Sequence, residues 1–103
     1  MVIANNQGLS NEAPLRYAEQ EASSLATTLL EIGGVRPHDL YLRLGKRSDD
    51  LWSVLEEVSR RASEIDRRDS VFLIFYYSGH ASTEALHLAG TKLRYQQLRD
   101  RLR

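Results

Sequence analysis

Seven consecutive apolar or aromatic residues, Val71 to Tyr77, run straight into Ser78-Gly79-His80. Seven residues is strand length and short for a helix. An unbroken apolar run needs cover on both faces, as in the interior of a parallel sheet. Such a sheet requires crossover connections, and the sequence on either side supplies them. The run therefore predicts an α/β architecture before any other segment is read.

Val2-Ile3-Ala4 reads as a short buried strand that stops at Asn5-Asn6, and 7–13 reads as a polar loop. Pro14 suits the first turn of a helix, where a missing N–H costs nothing. From there Leu15, Ala18, Ala22, Leu25, Ala26 and Leu29 follow helical spacing, and Gly33-Gly34 supplies a left-handed stop. Leu40, Leu42 and Leu44 alternate with Tyr41 and Arg43, which predicts a strand with one face more buried than the other. Ser48-Asp49-Asp50 predicts a helix start, with a capping hydroxyl and acids against the dipole. Its stripe continues through Leu51, Val54, Leu55, Val58, Ala62 and Ile65, with Arg67-Arg68 in the last turn. After His80, 85–89 predicts a small strand in a hairpin-like excursion, and 93–102 a third helix with Leu93, Leu98 and Leu102 as its apolar positions. The order β-α-β-α-β implies a parallel sheet with helices on both faces and right-handed crossovers. At 103 residues this is one small domain. The pattern opens on a strand and stops in a helical stretch, so residues 1–103 are expected to be part of a larger domain.

Composition narrows the function. Fourteen basic residues balance fourteen acidic ones, which gives no whole-chain attraction to nucleic acid or to an anionic membrane. The basic C-terminal residues Lys92, Arg94, Arg99, Arg101 and Arg103 read as a solvated face. The chain has no cysteine, which removes disulfides, thiolate metal sites and a cysteine nucleophile within it. That fits a reducing, cytoplasmic setting. No apolar run approaches the ~20 residues of a membrane span. Ser10 and Ser78 lack a Gly-x-Ser-x-Gly setting, so serine hydrolysis is not indicated. No phosphate-cradling glycine loop is present. His38, His80 and His87 share no metal-ligand spacing. His38 follows Pro37 in an exposed loop, and His87 alternates with Leu86 and Leu88, so it is expected to point away from the core.

His80 is the residue placed to do chemistry. Ligands of open α/β sheets bind beyond the carboxyl ends of the strands, and an imidazole there can take a proton near neutral pH. Gly79 permits a sharp turn and a close approach, and the neighbouring amides can face an oxyanion. Position alone is equally compatible with a loop imidazole held by a backbone hydrogen bond.

The string Phe75-Tyr76-Tyr77-Ser78-Gly79-His80 resembles the histidine motif of caspase-like cysteine peptidases, above all the metacaspase and bacterial branch, where an apolar strand ends in Tyr-Ser-Gly-His-Gly. Other segments resemble that family in order and spacing: Val2 to Asn6 its first strand, Leu15 to Ala22 the start of its first helix, Gly33-Gly34-Val35 and Asp39 to Leu42 its link to the second strand, and Leu86-His87-Leu88 its small strand after the histidine. The resemblance spans nearly the whole chain. It implies a three-layer caspase-like sandwich with a mostly parallel sheet, incomplete because it stops before the cysteine-bearing strand. It implies a Cys–His dyad acting on a peptide or protein substrate through a thioester; the residues themselves indicate no cofactor or metal. Carried over by position, His80 is the base, and the Gly79 and Ala81 backbone is the oxyanion site. Ala81 departs from the family's glycine, and a positive φ there would strain it. The family's cysteine lies about 50 residues past the histidine, beyond the last residue here. Arg16 assigns no specificity pocket and reads as a solvated helix arginine.

The expectations are a first strand lying between the second and third, His80 beside its carboxyl end, and an exposed sheet edge that promotes dimers or swapped oligomers. A non-catalytic caspase-like signalling module is the alternative reading. An unrelated small-molecule-binding α/β domain that shares the strand-end histidine is a third.

Overall fold

A computed structural model describes residues 1–65 and 73–101. Three parallel strands form the sheet: β1 (Val2–Asn5), β2 (Leu42–Leu44) and β3 (Tyr76–Gly79), in the order β2-β1-β3. Val2 pairs with Leu42 on one side and Tyr76 on the other, and Asn5 pairs with Gly79. β1 is central, and all four of its residues, Asn5 included, are buried.

The two faces of β1 define two cores. Val2 and Ala4 pack against Ala18 and Ala22 of helix α1 (Ala18–Glu31). Ile3 packs with Leu51, Val54 and Leu55 of helix α2 (Ser48–Ser63). Alternation at period two thus sends successive side chains to opposite helices, and the chain is layered α/β/α around one short strand. The alternation expected in the second strand holds: Leu40, Leu42 and Leu44 join the α1 side, and Tyr41 joins the α2 side. The α2 core is extended by a hairpin of β4 (Ala85–Leu88) and β5 (Thr91–Arg94), which contributes Leu86, Leu88 and Leu93. A short helix, α3 (Tyr95–Arg101), follows. Among the described residues no helix is long and apolar enough to cross a membrane.

Several local expectations are corrected. α1 begins at Ala18, so Pro14, Leu15 and Arg16 lie in the preceding loop. The loop there is held by the Leu15 N–H donating to the Asn6 carbonyl at 2.7 Å. Arg47, not Ser48, caps α2; its backbone N–H donates to the Asp50 carboxylate at 3.3 Å. Ile65 lies past the end of α2 and is exposed. Leu93 and Arg94 belong to β5, because Leu93 finds its partner Leu86 across the hairpin and only then does the chain coil. The third strand is later than its apolar run: Leu73 and Ile74 are exposed and Ser78-Gly79 are inside the strand. Among the described residues β3 pairs with β1 alone, so it is an edge strand and not the middle of the sheet, while both of its faces are covered, Phe75 and Tyr77 on the α2 side and Tyr76 on the α1 side. Val71, Phe72, Arg67, Arg68 and Leu102 lie outside the described residues.

Candidate functional site

Asn5↔Gly79 pairing sets the carboxyl ends of β1 and β3 side by side, and His80 is the first residue beyond β3. Gly79 has φ +157°, and a Cβ there would meet the Tyr77 hydroxyl and come within 2.9 Å of the Asn5 carbonyl oxygen. The close approach of two strand ends therefore demands glycine at this position.

His80 is fixed from both its ring and its backbone. Its Nε2 lies 2.7 Å from the Ala13 carbonyl oxygen. A carbonyl only accepts, so Nε2 carries the proton and the neutral ring presents its lone pair at Nδ1. The His80 carbonyl accepts from the Tyr77 hydroxyl at 2.6 Å and from the His87 N–H at 2.9 Å. Burial, followed by the fields of Tyr95 and Glu12, pushes the Tyr77 phenol up to about 12, so this donor keeps its proton across the working range of an imidazole.

Ala81 forms an antiparallel bridge with Leu86. The bonds on either side of it run from the His87 N–H to the His80 carbonyl and from the Ser82 N–H to the Ala85 carbonyl at 2.8 Å. Ala81 therefore occupies a position whose own N–H the ladder does not use. Among the described residues the non-glycine with positive φ is Ala89, so alanine at 81 carries no left-handed strain.

Two side chains that sequence reasoning did not single out build the surroundings. Asn5 is fully buried at the end of β1; its amide donates to the Lys46 carbonyl at 2.9 Å and its Oδ1 accepts from the Gln7 N–H at 2.9 Å. Glu12, from the β1–α1 loop, accepts from the Leu9 N–H at 2.7 Å and from His87 Nδ1, which is 2.9 Å from both carboxylate oxygens. Its Oε2 also stands 3.6 Å from His80 Nδ1. The Leu9 N–H foremost, and then the two imidazoles, hold the Glu12 carboxyl below the usual range despite partial desolvation. Gly8 makes room for this: a Cβ there would meet the Glu12 carboxylate and lie 2.8 Å from His80 Cδ2.

His87 corrects the expectation that it points away from the core. It is 7% exposed, turned inward to Glu12 rather than out to water. Strand alternation does put it opposite Leu86 and Leu88, but that second face is covered by the β1–α1 loop, to which Ala89 and Gly90 donate backbone bonds at the Gln7 and Gly8 carbonyls. The strand's period was legible; the loop that covers it was not.

No family model, curated protein or solved structure matches this chain.

The other flagged residues stand apart from His80. Arg16 is exposed in the loop before α1, and His38 is exposed in the turn Pro37–Asp39. An open depression of about 580 Å³ is lined by Thr83, Glu84, Tyr95, Gln96, Arg99 and Asp100 and does not include His80. Among the described residues no group of three or more His, Asp or Glu side chains is arranged to hold a metal ion.

Proposed function

We propose that this chain is the histidine-bearing part of a caspase-like cysteine endopeptidase domain, with His80 as the base toward a cysteine thiol supplied by sequence beyond it. The observation that carries the reading is the state of the His80 ring. The Ala13 carbonyl accepts the hydrogen bond of Nε2–H, which leaves Nδ1 as the nitrogen that can accept a proton. Support also comes from the sheet order, with β3 at the edge and β1 between β2 and β3. A further parallel strand added to β3 would bring its carboxyl end beside His80, where an open α/β sheet assembles its site. In that arrangement the thiolate attacks the peptide carbonyl, the Gly79 and Ala81 backbone N–H groups face the oxyanion, and the imidazolium returns its proton to the leaving amine. The chain alone has no nucleophile and is not expected to cleave peptides.

The second reading is a caspase-like module that binds partners without cleaving them. One experiment separates the two. The longest natural chain carrying this sequence is expressed and treated with a thiol-directed peptidyl probe, beside its His80→Ala variant. Labelling and peptide cleavage that both collapse in His80→Ala support the peptidase. A natural chain without labelling or cleavage, or one whose cleavage survives the substitution, overturns it.

A further inference from the structure

Glu12 is presented by its loop to two imidazoles in different ways. Toward His87 it makes short contacts, 2.9 Å from Nδ1 to each oxygen, and the Leu9 N–H fixes Oε1 at 2.7 Å. A carboxylate accepts only, so His87 Nδ1 is a donor here. The other nitrogen of that ring, Nε2, is buried and has no hydrogen-bond partner among the described residues. The His87 ring is thereby turned away from solvent, and among the described residues its side-chain hydrogen bond goes to Glu12.

Toward His80 the same carboxylate keeps its distance. Oε2 and Nδ1 are 3.6 Å apart, too far for a hydrogen bond and near enough for a charge to act. His80 retains a partly exposed ring, with 24% of its side chain accessible. Its Nδ1 is therefore left free for a second partner while facing a fixed negative charge.

We propose that Glu12 is a positioning residue for His80: anchored by His87 and Leu9, its carboxylate stabilises the imidazolium formed when His80 Nδ1 accepts a proton. This rests on the reading of His80 as a base. In the step it serves, the S–H bond of a cysteine thiol breaks, the proton goes to Nδ1, and the electron pair stays on sulfur. The new cation then lies between the Ala13 carbonyl at Nε2 and the Glu12 carboxylate near Nδ1. The titratable groups around Glu12 are His80, His87 and, farther off, the Tyr77 phenol, whose ionisation the Glu12 charge opposes.

The chain can be tested as it is by carbon-13 and nitrogen-15 NMR. Imidazoles are ordinarily protonated where a glutamate titrates, so each ring near Glu12 should lower the pH at which it takes its proton. His80→Gln is expected to shift the Glu12 carboxyl titration upward by about 0.3–1 pH, and a Glu12 curve unmoved in a folded His80→Gln protein overturns the proposal. Should that variant not fold, the unsubstituted chain still decides. The His80 ring nitrogens are expected to show a second inflection as Glu12 titrates, and their indifference to Glu12 overturns the proposal. A Glu12 that only braced the loop through His87 and Leu9, without its charge reaching His80, would move neither readout. Because neither readout needs a thiol, failure here is distinct from failure of the peptidase reading, which the cleavage experiment measures.

Discussion

His87 Nδ1 lies 2.9 Å from both oxygens of Glu12, joining the hairpin β4–β5 to the loop that leaves β1. The pair links residues 75 positions apart and sets Glu12 Oε2 3.6 Å from His80 Nδ1. It also gives the fold a pH dependence. The folded Glu12 carboxyl titrates below its ordinary value, so its contribution to stability is complete above the ordinary glutamate range and is lost as pH falls through the lower folded value. Thermal unfolding followed from pH 7 to pH 3 should show this decline, and Glu12→Gln should flatten it. Parallel curves for the two proteins would refute the linkage.

Tyr77→Phe should cost about 1 kcal/mol in urea unfolding, the net value of a buried hydrogen bond. The hydroxyl serves two carbonyls, at His80 and at His87 3.1 Å away, and the phenyl ring leaves both without it. In the unsubstituted protein one tyrosine should ionise near pH 12 by ultraviolet titration. A phenol held neutral by burial stabilises the fold fully below the ordinary tyrosine value, and that stabilisation fades as pH rises toward the folded one. Five tyrosines titrating together would contradict the buried placement.

Gly79→Ala should destabilise by about 1–3 kcal/mol, the range for overpacking a tight site. The added methyl meets the Tyr77 hydroxyl and the Asn5 backbone oxygen, and backbone cannot swing away as a side chain can. Chemical denaturation measures the loss. A neutral effect would show that the ends of β1 and β3 are not held together as described.

Self-association should depend on the outer edge of β3. Among the described residues that strand pairs with β1 alone, and Ile74 just before it is 63% exposed. An unpaired strand flanked by apolar side chains is a template for another chain. Light scattering should show the weight-average mass rising with concentration, and Ile74→Lys should lower it. A monomer at high concentration in the unsubstituted protein would count against the edge.

The sequence by itself determined the β-α-β-α-β alternation and the α/β/α layering, though not β5, whose Leu93 and Arg94 read as helix. Val2 to Ala4 reads as a short buried strand, and the stripes of α1 and α2 meet its two faces through period two against period 3.6. It also determined that His80 would stand just past a strand end, because Gly79-His80 follows the apolar run directly. Boundaries were less legible. Leu15 fits the helical spacing, yet the loop's bond from Leu15 to Asn6 delays the coil to Ala18. Leu93 fits a helix equally well until Leu86 is across from it. Only the tertiary structure decided what surrounds the imidazole. Glu12 sits in a polar loop with no local pattern, and His87 looks outward by alternation. Their pairing depends on a chain path that folds residues 7–13 over the hairpin, and hydrophobic periodicity describes one element's faces without saying which loop will cover them.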